Sequence, residues 1–185
     1  MRLPQRDLHR QLRERQVAAR DRIVNMVRPI DLAKLNEHPE PNAWSVAQVL
    51  EHLCLADELY APRLRKLLAS SPPDAGAAAR EWKSSFIGGR IAAALENAKP
   101  IKRGPPAFRP GPTPRNGVFQ AFIDGETRFL QAMDEALSYD WKALRVKSPA
   151  LPSWALSMNL GDGFRIHVVH ITRHARQIER LVEKL

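Results

Sequence analysis

The segment from Phe164 to Leu181 reads FRIHVVHITRHARQIERL, and its apolar residues recur at steps of three and four. This spacing is typical of an amphipathic helix that places one face against a protein core. The apolar stripe comprises Phe164, Val168, Ile171, Ala175, Ile178, Val182 and Leu185, whereas arginines occupy the opposite face. The pattern therefore predicts a long helix that packs on other helices along one side.

Three histidines, His167, His170 and His174, fall on or beside this stripe. His170 and His174 are four residues apart, so their rings lie one turn apart on the same side of the helix. This is the spacing that two imidazoles need to bind one metal ion. A buried imidazole needs a partner for each ring nitrogen, and a shared metal ion satisfies several at once. We therefore interpret His170 and His174 as a pair of metal ligands.

His52 is the best candidate for a third ligand, because it lies at the edge of the apolar stripe of an earlier helix. Together with His170 and His174 it would supply three nitrogen ligands inside a bundle. Three protein ligands and a water molecule are typical of catalytic zinc sites. The alternative for His52 alone is a helix-edge histidine that is hydrogen-bonded to a neighbour. Ile171 follows His170 where zinc proteases carry a glutamate, which disfavours peptide hydrolysis by that route.

Four helical patterns account for most of the chain. The first covers residues 5 to 28 approximately, and the third covers 117 to 138. The second begins at Ser45, which forms a Ser-x-x-Gln capping box with Gln48, and Pro62 is expected to kink it. The fourth begins near Asn159 or Asp162, either of which can cap it. No stretch shows the alternation of a β-strand.

The long connection between the second and third helices is rich in proline. Residues 80 to 98 could form a short helix, but residues 100 to 114 contain too many prolines for helix or sheet. A polyproline ligand for another protein is one interpretation of this stretch. We favour the other, in which the connection lines and covers one end of the bundle.

The composition is that of a single globular domain spanning residues 1–185, with 44% hydrophobic residues. The first residues lack the apolar core of a signal peptide, and no later stretch is apolar enough to cross a membrane. The chain has one cysteine, Cys54, so an internal disulfide is excluded. Together these features predict a cytoplasmic protein with no membrane association.

The formal net charge is +9, and the basic residues are spread along the chain. Such an excess can attract nucleic acid, an anionic small molecule or an acidic partner, or can act only through solubility. Because no zinc finger, RNA-recognition motif or basic zipper accompanies the charge, nucleic-acid binding is disfavoured. A solvated basic surface is the simpler interpretation.

Several further residues are candidates for supporting roles. We expect His167 and Glu126 near the metal ligands or in the core, and we interpret Cys54 as an inert small residue. His9 and His38 are interpreted as surface residues. Three arginines of the connection could bind an anionic substrate, although loop solvation explains them equally well; they are Arg103, Arg109 and Arg115.

Three stretches of this chain resemble the DinB-like family (DinB/YfiT-like metalloenzymes). They are WSVAQVLEHL at residues 44–53, PPAFRP at 105–110, and the segment from Asn159 through the HITRHARQI motif at 170–178. The resemblance implies an all-α, up-down-down-up four-helix bundle with a long proline-rich connection between the second and third helices. It also implies a divalent metal held by His52, His170 and His174, the same residues that the spacing selects.

Proteins of similar sequence include transferases that use the thiols mycothiol or bacillithiol, and others suspected of being hydrolases. A bound zinc or nickel ion lowers the pKa of a coordinated thiol or water, which makes a nucleophile near neutral pH. We therefore expect a metal-dependent enzyme that acts on a small molecule, with a low-molecular-weight thiol as one candidate substrate. The alternative is a non-enzymatic basic protein that binds nucleic acid or an acidic partner, with a structural or vestigial metal site.

The resemblance also favours a homodimer that forms through helix faces. Leu55 and Leu59 lie off the apolar stripe of the second helix, and an isolated bundle would leave Leu55 in water. Isolated exposed leucines are common, so they do not require a partner. The proline-rich connection could also cover this surface within one chain.

Overall fold

The computed structural model describes residues 1–41, 43–97, 106–147 and 157–185. Within these ranges six α-helices form most of the structure. They are α1 (Gln5–Val27), α2 (Leu32–Leu35), α3 (Val46–Ala69), α4 (Phe86–Glu96), α5 (Val118–Glu135) and α6 (Leu160–Val182). The four long predicted helices are confirmed as α1, α3, α5 and α6, and α4 is the short helix expected between residues 80 and 98.

The four long helices form a bundle in which α1 and α3 each pack against both α5 and α6. Arg22, near the end of α1, pairs with Glu179, near the end of α6, so these two helices run parallel. His9, near the start of α1, contacts Asp134, near the end of α5, so these two are antiparallel. The chain therefore has the up-down-down-up order, and the long connection joins the parallel helices α3 and α5.

A capping box fixes the start of α3. The Ser45 hydroxyl accepts a hydrogen bond from the backbone N–H of Gln48, and the Gln48 side chain accepts one from the backbone N–H of Ser45. Gln48 also donates its side-chain N–H to the carbonyl of Gly111, which attaches the connection to this helix end. Pro62 lies inside α3, which continues to Ala69. The predicted capping box is thus present, and it lies about two helical turns before His52 in α3.

Asn159, rather than Asp162, caps α6, since its side-chain oxygen accepts from the N–H of Asp162. Asp162 is fully buried and accepts hydrogen bonds from the Ser84 hydroxyl and from the N–H and hydroxyl of Ser85. The indole N–H of Trp82 donates to Asn159. The start of α6 is therefore bound to the segment just before α4.

Two short antiparallel ladders complete the fold and were not predicted. Strand β1 (Arg2–Pro4) pairs with β2 (Glu81–Lys83), and β3 (Arg145–Val146) pairs with β4 (Met158–Asn159). Strands of two or three residues are too short for an alternating pattern to be visible in the sequence.

Gln5, the first residue of α1, is buried and links distant parts of the chain. Its side-chain N–H groups donate to the carbonyls of Leu137 and Tyr139, and its side-chain oxygen accepts from the N–H of Trp141. Its backbone N–H donates to the carbonyl of Arg80. The start of α1 is thereby held against the segment that follows α5.

The apolar core has two parts, one near each end of the bundle. The first includes Ile23, Leu50, Phe122 and Ile178, and the second includes Leu12, Leu64, Leu130 and Phe164. Along each long helix the residues of the two parts are separated by buried or nearly buried polar side chains. No helix among the described residues combines the length and apolar character needed to cross a membrane.

Candidate metal centre

The structure brings His52, His170 and His174 together at one point between α3 and α6. The Nε2 atom of His170 lies 3.0 Å from Nε2 of His52 and 3.0 Å from Nε2 of His174. Because α3 and α6 are antiparallel neighbours, one histidine in the first half of α3 meets the His-x-x-x-His pair, which lies just past the first ten residues of α6. His52 and His174 are buried, and His170 is half-buried.

The outer nitrogens of two of these rings are held by oxygen acceptors. Nδ1 of His52 lies 2.6 Å from the carbonyl oxygen of Phe108, and Nδ1 of His174 lies 2.8 Å from Oε1 of Gln177. Since these oxygens can only accept, both Nδ1 atoms carry the hydrogen and both Nε2 atoms carry a lone pair. Such an outer contact is the usual way in which a protein orients a metal-binding histidine.

Burial lowers the pKa of all three imidazoles, so that they are neutral near pH 7. The pKa of His174 falls to about 3 because of burial and then the neighbouring His52, and the pKa of His170 lies well below its usual value for similar reasons. Burial also lowers the pKa of His52, against the hydrogen bond to Phe108. A single proton on Nε2 of His170 cannot be donated fully to both His52 and His174, whose Nε2 atoms each lie 3.0 Å away. A cation placed between the three rings can instead accept a lone pair from each Nε2 atom. The donor set therefore fits a divalent metal ion.

Aromatic side chains surround one side of the three histidines. The rings of Trp44 and Phe108 lie with their centroids 5.1 Å and 6.2 Å from that of His52, and Tyr60 stacks on Phe108 at 6.4 Å. Phe108 belongs to a short turn, Pro106–Phe108, in the proline-rich connection. The described part of this connection thus packs beside the site, as the sequence analysis favoured, and limits the access of water.

The three arginines proposed for anion binding have different surroundings. Arg115 donates to Glu51, with 2.8 Å between Nη2 and Oε1, and also to Glu58, so its guanidinium is shared by two carboxylates of α3. The hydrogen bond from Arg115 lowers the pKa of Glu58. Arg109 is exposed and directly follows Phe108. Arg103 lies outside the described residues.

Two expectations about single residues can be compared with the structure. Cys54 is buried with its Sγ atom 3.9 Å from the carbonyl oxygen of Val118, and burial raises the pKa of its thiol to about 12. This fits the interpretation of an inert residue. His38 is exposed as expected, whereas His9 is half-buried. The His9 side chain is only 13% exposed, since its ring bonds to Asp134 and packs against Trp141.

A second cluster of polar side chains lies inside the bundle, about one turn of α6 before the three histidines. It contains the expected residues His167 and Glu126, joined by Asp57 and Gln16, which the sequence analysis missed. A signal was available, because Gln16 continues the spacing of Leu12 and Ala19, and Asp57 continues that of Leu50 and Leu53. Polar residues on an apolar stripe indicate a buried polar contact.

The comparison with protein families agrees with this architecture. A sequence model described as the DinB superfamily matches residues 16–178, and the chain therefore belongs to this superfamily. The matched range includes both histidine-containing groups. No curated protein and no solved structure shows a significant match to the chain.

Proposed function

We propose that this protein is a metal-dependent enzyme in which His52, His170 and His174 hold one divalent transition metal ion, zinc or nickel. The observation that carries the proposal is the meeting of three neutral Nε2 atoms, two of them with lone pairs set by hydrogen bonds at Nδ1. Three protein ligands leave a coordination position for a further molecule. When bound, the ion would lower the pKa of a thiol or water in that position.

The residues around the three histidines contribute in two ways: they orient the imidazole rings and they restrict the access of water. Phe108 and Gln177 orient two of the rings, so that the Nε2 lone pairs point inward without a rearrangement on binding. Trp44 and Phe108 restrict water next to His52, which strengthens electrostatic interactions there. These roles suit activation of a thiol or a water molecule for thiol-group transfer or for hydrolysis of a small substrate.

The basic residues of the connection favour an anionic small molecule as substrate or thiol cosubstrate. Arg109 is placed next to the site by Phe108, whose carbonyl contacts His52. Arg115 is held by Glu51 and Glu58, so its remaining exposed edge offers fewer donors than a free guanidinium would. Because of its position directly after Phe108, we assign Arg109 a part in binding a carboxylate-bearing molecule.

Metal analysis of protein purified without a histidine tag tests the proposal. We expect His170→Ala to bind one equivalent less Zn²⁺ or Ni²⁺ than the wild type, because the central nitrogen of the three is lost. His38→Ala is the matched control, since it removes an exposed histidine whose Nδ1 lies 2.8 Å from the carbonyl oxygen of Ala43. Equal metal uptake by the wild type and the His170→Ala variant would contradict the proposal.

A second measurement separates the two reaction classes and the non-enzymatic alternative. The Zn²⁺-loaded and Ni²⁺-loaded proteins are incubated with small electrophiles plus a low-molecular-weight thiol, and separately with small esters and amides. We expect the metal-loaded wild type to convert one of these two sets of substrates faster than the His170→Ala variant does. If the wild type binds metal and accelerates neither set, the site is structural.

A further inference from the structure

The second cluster of polar side chains forms a layer across the bundle to which each long helix contributes one residue. Gln16 comes from α1, Asp57 from α3, Glu126 from α5 and His167 from α6. Gln16 and Glu126 are 0% exposed and Asp57 is 8% exposed. The layer lies between the two parts of the apolar core, where polar side chains are costly unless they have partners.

The ring of His167 is the centre of this layer. Its Nδ1 lies 3.6 Å from Oδ1 of Asp57, and its Nε2 lies 3.7 Å from Oε2 of Glu126. Gln16 donates its amide N–H to Glu126, and the same nitrogen is 3.3 Å from Nε2 of His167. Phe129 stacks on the other side of the imidazole, with 3.5 Å between ring centroids. The ring is therefore held between two carboxylates at distances longer than hydrogen bonds.

Four oxygen atoms of this layer have no hydrogen-bond partner among the described residues. They are both carboxylate oxygens of Asp57, Oε1 of Glu126 and Oε1 of Gln16. Native proteins rarely leave buried oxygens unsatisfied, because the lost hydrogen bonds to water are then not replaced. Burial raises the pKa of both Asp57 and Glu126 to about 8, and for Asp57 repulsion by Glu126 adds to the effect. Protons would neutralise these carboxyls but would leave most of the oxygens unpaired.

We propose that this layer is a second divalent cation site, separate from the three histidines. Asp57 and Glu126 each supply a carboxylate oxygen and His167 supplies one ring nitrogen, and these ligand atoms already lie within 4.8 Å of one another. A rotation of the terminal amide by half a turn brings the Gln16 oxygen to the same place as a fourth ligand. Carboxylates from facing helices are a common way to build a metal site in a helical bundle.

The donor set indicates which cation the layer takes. Two carboxylates, one imidazole and an amide oxygen form a harder set than three imidazoles, and oxygen-rich sets favour Mn²⁺ or Fe²⁺ relative to a site of nitrogen ligands. The three-histidine centre is suited to zinc or nickel by the same argument. The two sites should therefore differ in metal preference within one chain.

The Asp57 side of the layer adjoins a cavity. Asp57 and Gly125 line a cavity of about 250 Å³, together with the exposed residues Asp124 and Arg128. A Cβ atom at position 125 would lie 2.7 Å from Oδ2 of Asp57, so glycine leaves room for this carboxylate. Besides Asp57, the cavity is lined by two acidic residues, Glu58 and Asp124, and by two basic residues, Arg115 and Arg128.

The two sites are near each other without sharing a ligand. His167 precedes His170 by three residues on α6, and Asp57 follows His52 by five on α3. At a rise of about 1.5 Å per residue, the sites are separated by roughly 5–8 Å along the bundle. Occupation of one site therefore does not require the other.

Mn²⁺ binding to the Zn²⁺-loaded protein tests this proposal. The protein is first given one equivalent of Zn²⁺ and then titrated with Mn²⁺, whose free form is counted by its electron paramagnetic resonance signal. We expect the wild type to bind one equivalent of Mn²⁺ and a combined Asp57→Asn, Glu126→Gln variant to bind none. Asp124→Asn, which removes an exposed carboxylate of the same cavity, should bind as the wild type does.

Either of two results would overturn the proposal: no Mn²⁺ uptake by the wild type, or equal uptake by the wild type and the combined variant. Both replacements keep the side-chain shape and remove buried charge, so the metal-free variant should unfold at a temperature equal to or above that of the wild type. If the combined variant does not fold, Glu126→Gln alone replaces it in the same titration. His170→Ala distinguishes the two sites when it is titrated with Mn²⁺ in the absence of Zn²⁺, since it should keep Mn²⁺ binding to the layer.

Discussion

Gln177 shows how a neighbouring residue sets the protonation of a proposed metal-binding histidine. It lies three residues after His174 on α6, and its side-chain oxygen receives the Nδ1 proton of that ring. Phe108 does the same for His52 through a backbone carbonyl, which no side-chain replacement can remove. The tautomers of two of the three rings are therefore fixed before any metal arrives.

At the same scale, Cys54 should be unreactive in the folded protein. Only the thiolate reacts with thiol reagents, and a pKa raised to about 12 by burial leaves very little thiolate at pH 8. We expect labelling by a disulfide reagent to be slower by orders of magnitude in the native protein than in denaturant. Because Cys54 is the one cysteine of the chain, the count of labelled thiols is unambiguous. Equal rates in the two states would show that the thiol is accessible.

At the scale of the elements, the start of α6 depends on a close approach to the segment before α4. A Cβ atom at position 161 would lie 2.2 Å from Nε1 of Trp82, the atom that bonds to Asn159. Gly161 is therefore required by space, although alanine has the higher helix propensity. Because Trp82 and Met158 are both buried there, little room remains for adjustment.

Gly161→Ala should consequently lower the free energy of unfolding by about 1–3 kcal/mol, as is typical of overpacking in a core. Urea denaturation followed by circular dichroism measures this change. Gly111→Ala is a suitable control, since the nearest atom to its added Cβ is the carbonyl oxygen of Thr113 at 3.9 Å. Equal stability of the two variants would mean that Trp82 moves aside at little cost.

The sequence predicted the long helices because each repeats its apolar residues over several turns, and the capping box at Ser45 located one helix start closely. The histidine spacing in α6 was also readable, since His170 and His174 belong to one helix. Of the layer around His167, the sequence analysis expected His167 and Glu126 but not Asp57 or Gln16. Its four residues come from four helices, and no local pattern states that Asp57 and Gln16 meet Glu126. The packing of the helices alone determines that contact.

At the scale of the whole molecule, we still predict a homodimer, but the contact surface is no longer expected at Leu55 and Leu59 of α3. Leu55 is half-buried rather than left in water, as is Leu59. The exposed apolar side chains include Phe86, at 78%, and Leu32, at 58%. Phe86 begins α4, where Arg90 lies over its ring. A dimer would cover such residues by helix-face contact.

Light scattering at several protein concentrations measures the mass in solution. We expect twice the chain mass of 20.9 kDa. A Phe86→Ser variant shows whether α4 takes part, because loss of this apolar contact should shift the protein toward the monomer. A wild-type mass of one chain that does not change on concentration would exclude the dimer.

The contacts of Gln5 have a consequence for cooperativity. This one side chain, together with its backbone N–H, connects the start of α1 to residues 80, 137, 139 and 141. The amino-terminal turn therefore cannot fray independently, since its release would strip buried hydrogen bonds from two other segments. Amides near residue 5 and residue 141 should exchange with solvent through one shared opening event, so the two ends of the first and third long helices behave as a single unfolding unit.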